Sequence, residues 1–274
     1  MNFLRNYLLA LQFFTRIPVT GRLAAWVGFS PQMLRASAAH FPGVGWLVGF
    51  LVTVLQLALF MGLPVGGYSP LVLATLGTAF GILLTGAFHE DGLADVADGL
   101  GGSYKRERSL EIMKDSRVGA FGAIAIAMVL LTKVALVAEL AFLGPVALAA
   151  ASFLAHVVSR TWPLLTIRLL PHVGDTAQSK SKPLAEQIDG RALRAALVWC
   201  VLAFVLVASV VGVGTVMFRT LGGALLASAL AFAWMHRLFA RRLQGFTGDC
   251  LGAIQQVCEL AFYLGFLLAW GPHT

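Results

Sequence analysis

The fold is decided by a stretch that reads VGAFGAIAIAMVLLTKVALVAE, residues 118–139. Only Lys133 and Glu139 in it are charged, and about 18 mostly apolar residues are enough to cross a bilayer. The whole chain is 58% hydrophobic and 12% charged, unlike a soluble protein. The sequence therefore predicts an all-α, polytopic membrane bundle with about seven transmembrane helices in one domain, 1–274. The other six predicted spans are 41–63, 69–88, 144–163, 193–217, 220–235 and 251–270.

The N-terminal stretch 4–14 is too short to span a bilayer, and Arg16 follows it without a small-residue cleavage site. We therefore expect a helix lying along the membrane surface and no signal peptide. Eighteen of the 20 Lys and Arg residues fall in alternate connecting segments, namely 1–40, 89–117, 159–194 and 236–250. Basic residues stay in the cytoplasm, so these segments and the N-terminus are predicted to be cytoplasmic.

The net charge of +7 is thus explained by membrane topology. Nucleic-acid binding is not expected, because no soluble domain carries a basic face with aromatic residues. Cys200, Cys250 and Cys258 lack metal-site spacing and predict no disulfide framework. Glycines such as Gly45 and Gly49 favour close helix packing, either within the chain or in a homo-oligomer.

The segment HEDGLADVADGLGG, residues 89–102, gathers four carboxylates in an otherwise apolar protein. On a helix, Glu90, Asp91, Asp95 and Asp98 fall at about 0°, 100°, 140° and 80°, on one face. Carboxylates held so close repel one another unless a cation lies among them. A solvated polar loop is the alternative, but the shared face and the membrane boundary favour a site for a hard divalent cation such as Mg²⁺.

Two further polar segments, IMKDSRVGAFGA (112–123) and GFTGDCLGA (245–253), precede predicted spans. Asp115 and Asp249 in these segments can cap helices, which would explain them locally. Alternatively, Lys114 and Arg117 bind phosphate while Gly119 and Gly122 let an anion approach a helix N-terminus. Three spans would then bring Asp91, Asp115 and Asp249 together on the cytoplasmic side.

Other charged residues lie in or beside the predicted spans. Arg160 either binds phosphate at the cytoplasmic end of the fourth span or extends to the interface. Lys133, Glu139 and Glu259 lie within spans, where charges are usually functional. His89 and His156 are interpreted as structural.

Five stretches together resemble the cobalamin synthases, the adenosylcobinamide-GDP ribazoletransferases, over nearly the whole chain. They are LQFFTRIPV (11–19), HFPGVGWLVG (40–49), HEDGLADVADGLGG (89–102), IMKDSRVGAFG (112–122) and GFTGDCLGA (245–253). The resemblance implies an inner-membrane enzyme of bacteria and archaea that joins adenosylcobinamide-GDP to α-ribazole or its 5′-phosphate, releases GMP and requires Mg²⁺. It is weakest over 165–194, so the roles of Lys180 and Lys182 stay open.

The chemistry implied by the resemblance assigns a role to each polar candidate. One or two Mg²⁺ ions would be held by carboxylates, and Asp249 or Asp98 would accept the proton of the attacking hydroxyl. The candidate metal ligands are Glu90, Asp91, Asp95, Asp98 and Asp115. The candidate phosphate ligands are Lys114, Arg117, Arg160 and Arg16.

Two alternatives are compatible with parts of the pattern. A CDP-alcohol phosphotransferase would use related metal chemistry, but its DGxxAR start is not matched, because Asp95 precedes the arginine position and later aspartates are lacking. A cation transporter would use the acidic cluster as a substrate site, although such sites usually lie near the bilayer midplane. Release of GMP would exclude transport.

Overall fold

The computed structural model describes residues 2–64, 66–174, 188–212 and 214–271. These ranges contain thirteen α-helices, and only an isolated bridge between His172 and Phe246 has extended pairing. The helices are α1 Asn2–Phe14, α2 Gly21–Val27, α3 Pro31–Ser37, α4 Phe41–Gly62, α5 Ser69–Thr85, α6 Phe88–Gly102, α7 Arg106–Ile112, α8 Ala120–Phe142, α9 Pro145–Ser159, α10 Trp162–Leu169, α11 Gly190–Val211, α12 Thr215–Arg242 and α13 Gly248–Trp270. A 3₁₀ turn, Ala38–His40, joins α3 to α4. The all-α prediction is confirmed.

The prediction of a polytopic membrane bundle is confirmed, and the fourth predicted span is the one whose helix is short. Within the described ranges, five helical segments are long and apolar enough to cross a membrane, or six if α5 and α6 count as one broken span. The predicted fourth span is divided, because α9 ends at Ser159 and α10 begins at Trp162. At 1.5 Å per residue, α9 alone is about 22 Å long, short of a hydrocarbon core of about 30 Å. It is buried among the other helices of the bundle.

Glycines allow the central helices to approach closely. A Cβ on Gly45 or Gly49 would meet the backbone of α9 at His156 or Phe153, and a Cβ on Gly265 would meet the carbonyl oxygen of Gly223 on α12. The predicted packing role of Gly45 and Gly49 is therefore fulfilled within the chain. The outer faces of α8, α11 and α12 expose large apolar side chains such as Ile124 and Val205, as expected for contact with lipid.

The acidic segment forms α6, which leaves α5 at an angle of 90°. The bend lies at Gly86 and Ala87, whose φ values of 65° and 58° are both left-handed. The N–H of Arg16 donates to the carbonyl oxygen of Leu84 at 2.7 Å and closes the end of α5. Because of this bend, α6 lies across the start of α13 and reaches the start of α8, at one end of the bundle.

A charged network is buried among α8, α9 and α13. Lys133 Nζ lies 2.6 Å from Glu259 Oε1, and both side chains are at most 8% exposed. Tyr263 and Gln255 also donate to the carboxylate of Glu259, whereas Glu139 is exposed. Of the three predicted intramembrane charges, two thus form one buried ion pair. All three cysteines are free, as expected.

Candidate active site

The crossing of α6 and α13 brings the acidic segment against Asp249. Gly92 faces the backbone of Asp249, where a Cβ would stand 2.8 Å from the carbonyl oxygen. Gly252 likewise faces the backbone of His89, with a Cβ contact of 3.1 Å. These two glycines let the helices touch, so Asp91 and Asp95 lie beside the first turn of α13. Of the three aspartates predicted to meet, Asp91 and Asp249 lie close together, whereas Asp115 pairs with Arg117.

Asp95 lies at the centre of the negative charge. Partial burial, reinforced by the charges of Asp249, Asp91 and Asp98, raises the pKa of Asp95 to about 7. Asp91 is exposed, and Thr247 Oγ1 donates to Asp249 Oδ2 at 3.1 Å. A cation or a proton would relieve the repulsion among these carboxylates. We call Asp91, Asp95 and Asp249 the carboxylate site.

Asp98 differs from the other carboxylates because it caps α8. Its Oδ2 accepts from Gly119 N at 2.7 Å and its Oδ1 from Gly122 N at 2.8 Å. A Cβ on either glycine would collide with this carboxylate. The sequence predicted an anion at this helix N-terminus, and the anion is the chain's own Asp98 rather than a phosphate. The close approach of the Asp98 carboxylate explains why glycine occupies positions 119 and 122.

Substitution of Asp98 by alanine is expected to destabilise the fold by about 1–2 kcal/mol, because two N–H groups at the start of α8 lose their acceptor. Thermal unfolding in detergent would measure this loss. Asp98→Asn retains one acceptor oxygen and should lose less. An Asp98→Ala variant as stable as wild type would show that the cap contributes nothing.

Glu90 points away from the carboxylate site into the bundle. It is 7% exposed, its Oε1 accepts from Gln256 Nε2 at 2.9 Å, and its Oε2 has no partner. Gln256 continues through Gln255 to Glu259, so Glu90 joins α6 to the buried charged network. The four carboxylates were predicted to share one helix face. Glu90 and Asp98 are instead buried, whereas Asp91 and Asp95 are at least partly exposed.

The loop between α7 and α8 holds Asp115 and Arg117 as an exposed pair. Arg117 Nε donates to Asp115 Oδ1 at 2.9 Å, and these hydrogen bonds lower the pKa of Asp115 to about 2. Asp115 is thus engaged by a cation of the chain, whereas the sequence offered it as a metal ligand. Arg117 is 87% exposed and Lys114 is also exposed, so both are accessible to a phosphate. Lys180 and Lys182 lie outside the described residues.

The two remaining phosphate candidates lie in different surroundings. Arg160 is 2% exposed, and its Nη1 donates to the carbonyl oxygen of His156 at 3.0 Å. It is therefore turned into the bundle, and neither the predicted surface phosphate site nor extension to the interface is observed. Arg16 is exposed and packs against Gly86 at the α5–α6 bend, which accounts for an anchoring role.

The carboxylate site offers oxygen donors to a metal ion but no complete set of ligands. Among the described residues, no group of three or more His, Cys, Asp or Glu side chains is placed so that it could hold a metal ion by itself. Mg²⁺ usually needs only one or two carboxylates, with substrate phosphates and water completing its shell. Asp91, Asp95 and Asp249 offer hard oxygen donors of this kind, so the residues present fit the ion.

Sequence reasoning missed the polar network behind the site. The interpretation of His156 as a packed structural residue is confirmed, because it is buried with its Nδ1 3.1 Å from Arg160 Nη1 and 3.8 Å from Glu259. Two adjacent amides, Gln255 and Gln256, within a predicted span were the available signal, because buried amides require partners.

Comparison of the sequence with known proteins identifies the family of this chain. The family model of cobalamin-5-phosphate synthase matches residues 6–267. This chain belongs to that family. Curated relatives named adenosylcobinamide-GDP ribazoletransferase include proteins of Albidiferax ferrireducens, 65% identical over 96% of this chain and 97% of the relative, and Polaromonas sp., 56% identical over 97% and 98%. A relative with the same name from Vibrio cholerae is 41% identical over 98% and 95%. No solved structure matches the chain.

Membership of the cobalamin-5-phosphate synthase family confirms the resemblance carried by the five sequence stretches. The family model is that of a synthase, and the relatives are named as ribazoletransferases. They therefore support neither a CDP-alcohol phosphotransferase nor a cation transporter.

Proposed function

We propose that this chain joins adenosylcobinamide-GDP to α-ribazole or its 5′-phosphate, with release of GMP, as the last assembly step of the cobalamin nucleotide loop. The relatives' shared name supports the reaction. The single structural observation that carries it is the meeting of Asp91 and Asp95 on α6 with Asp249 on α13 at one end of a membrane bundle.

In this reaction the ribazole 3′-hydroxyl oxygen attacks the phosphorus that carries the aminopropanol arm. A new P–O bond forms, the P–O bond to GMP breaks, and GMP departs with the bridging oxygen. The hydroxyl proton passes to a carboxylate. Such a transfer depends on positioning and charge neutralisation more than on a covalent intermediate.

Asp249 is the better proton acceptor of the two proposed from the sequence. Both oxygens of Asp98 are already occupied by the N–H groups of Gly119 and Gly122. Asp249 has a single side-chain partner, Thr247, and lies beside Asp91. Asp249 as a residue is partly exposed, and an incoming hydroxyl would approach it from this open side.

Asp91 and Asp95 are proposed to hold Mg²⁺, with Asp249 at the edge of the same site. When bound, Mg²⁺ would supply positive charge to the pyrophosphate of the substrate. Lys114 and Arg117 are proposed to bind phosphate oxygens, with Asp115 fixing the guanidinium of Arg117. Glu90 and Arg160 are too deeply buried for contact with phosphate at the surface and are assigned to the supporting network.

We further propose a multi-pass protein of the bacterial inner membrane with its N-terminus and carboxylate site in the cytoplasm. The clustering of Lys and Arg in alternate connecting segments supports this orientation. The bend at Gly86 and Ala87 keeps α6 at the same end of the bundle as the start of α13.

To test this function, purified protein in liposomes would be supplied with adenosylcobinamide-GDP, α-ribazole 5′-phosphate and Mg²⁺. Chromatography would follow GMP and the corrinoid product. We expect equal amounts of both, an arrest by EDTA and recovery on addition of Mg²⁺. Folded protein that forms no product would refute the transferase function, and product formation unaffected by EDTA would refute the metal.

A further inference from the structure

A cavity lies where α1, α3, α10 and α11 meet, at the end of the bundle where α4 and α11 begin. Its volume is about 620 Å³, within the range of sites that hold small molecules. Three helices each contribute an arginine to its lining, namely Arg35 of α3, Arg168 of α10 and Arg191 of α11. We call this space the arginine cavity.

The described residues that line the arginine cavity carry a net positive charge. The one carboxylate among them is that of Asp189, whose Oδ1 accepts from Ala192 N at 2.7 Å as the N-cap of α11. Three guanidinium groups thus share the lining with one carboxylate that already caps a helix. Asn6 and Gln32 add two side-chain amides. Guanidinium groups bind phosphate oxygens through paired N–H donors, so the lining favours a phosphate-bearing ligand.

Aromatic packing fixes part of the wall. Phe3 meets His40 edge to face with ring centroids 4.6 Å apart, and it stacks on Trp199 at 5.8 Å. Trp199 Nε1 also donates to His40 Nδ1 at 3.3 Å. These contacts hold the start of α1 against α11 and against the 3₁₀ turn before α4. Three of the elements around the arginine cavity are therefore fixed to one another.

The arginine cavity continues into an apolar stripe on α11. Arg191 and Ala195 line the cavity, and Val198 and Leu202 follow on the same helix face, because these positions are spaced by four, three and four residues. Val198 and Leu202 are 56% and 48% exposed. One face of α11 thus changes from a cation to exposed apolar side chains along its length, as a bilayer changes from headgroups to hydrocarbon.

The arginine cavity is separate from the carboxylate site. Phe14, at the end of α1, contacts Phe88 at the start of α6, with ring centroids 5.8 Å apart. Asn6 lines the cavity and lies eight residues earlier on α1, about 12 Å away along the helix. A phosphate in the arginine cavity is therefore distinct from the pyrophosphate proposed to bind beside Asp91 and Asp95.

We propose that the arginine cavity binds the phosphate group of an anionic phospholipid, whose acyl chains lie along Val198 and Leu202. Basic cavities between membrane helices bind such headgroups on the cytoplasmic side, where this end of the bundle is proposed to lie. The general retention of basic residues in the cytoplasm accounts for the side on which Arg35, Arg168 and Arg191 lie, but not for their meeting in one cavity. A soluble phosphate would use the arginines alone, whereas the apolar stripe gives a lipid a second contact.

The first test measures lipid binding directly. Native mass spectrometry of the full chain, released from a neutral detergent, would follow titrations with phosphatidylglycerol and with phosphatidylcholine. We expect wild type to bind phosphatidylglycerol about tenfold more tightly. Arg168→Gln combined with Arg191→Gln should abolish this preference, because two cations beside the phosphate are lost. The matched control, Arg22→Gln combined with Arg194→Gln, removes two exposed arginines outside the cavity lining and should retain the preference within about twofold.

The second test distinguishes a lipid from a soluble phosphate. Inorganic phosphate and α-ribazole 5′-phosphate, each at millimolar concentration, should not displace phosphatidylglycerol from wild type. Ala195→Phe adds a ring between the cavity and Val198 without a change of charge, and it should weaken phosphatidylglycerol binding about tenfold. Leu197→Phe adds a ring to another face of α11 and should leave the affinity within about twofold.

Equal binding of the two lipids by wild type, or an unchanged preference in the Arg168, Arg191 double variant, would overturn the site. Displacement by phosphate, with unchanged lipid binding in Ala195→Phe, would assign the cavity to a soluble phosphate instead. Variants are compared after their unfolding temperatures match wild type within a few degrees. If the double variant does not fold, each single glutamine variant should still lose about threefold in affinity. None of these measurements involves GMP release, so this inference and the proposed function fail or stand separately.

Discussion

Replacement of Asp249 by asparagine is expected to lower kcat for GMP release by at least about a hundredfold, the usual contribution of a positioned general base. Asparagine is nearly isosteric and still accepts the hydrogen bond from Thr247, so the start of α13 should be preserved. Its amide cannot take the proton of the ribazole hydroxyl, and it removes one negative charge beside Asp95. Steady-state measurement of GMP release at saturating substrates would give kcat directly.

The matched control is Glu107→Gln, which removes a carboxylate from α7. Glu107 is 81% exposed and forms an ion pair with Arg106 at 3.5 Å, and a surface pair of this kind contributes little. We expect this variant to retain the wild-type kcat. Equal activity in Asp249→Asn and wild type would contradict the assignment of the base, and the proton acceptor would then have to be sought at Asp95 or Asp91.

Much of the architecture was predictable, because a stretch of apolar residues long enough to cross a bilayer predicts a membrane helix. The acidic helix was also predictable, and the membrane topology predicted that Asp249 lies on the same side of the membrane as this helix. The length of the fourth helix was not predictable, because α9 is as apolar as a span but ends at Ser159, where the chain turns into α10. The length of an apolar stretch in the sequence does not reveal where a helix ends within it.

The roles of two polar residues depended on partners that are remote in sequence. The spacing of Asp98 places it with Asp91 on one helix face, yet α8 presents two N–H groups to it, 21 and 24 residues later. Arg160 lies at a helix end, where it was expected to face water, but His156 and the buried carboxylates draw it inward. Local patterns give the residue type and face, whereas tertiary packing selects the partner.

The largest loss of stability is expected at the buried ion pair. Glu259→Gln should destabilise the protein by about 3 kcal/mol or more, because it leaves Lys133 buried without a counter-charge. Gln255 and Tyr263 also lose a charged acceptor at 2.6 Å and 3.3 Å. Thermal unfolding in detergent, followed by tryptophan fluorescence, would measure the change. Glu139→Gln removes an exposed carboxylate near the end of α8 and serves as the control, with no change expected.

The double variant Lys133→Met, Glu259→Gln distinguishes a cost of unpaired charge from a general loss of packing. Both charges are then absent, so most of the stability lost in Glu259→Gln should return. A double variant as unstable as Glu259→Gln would contradict this explanation. Because Glu259 connects through Gln255 and Gln256 to Glu90 at the start of α6, the single variant should also reduce GMP release, and the double variant should restore only the stability. That separation would show that the buried network both stabilises the bundle and positions the acidic helix.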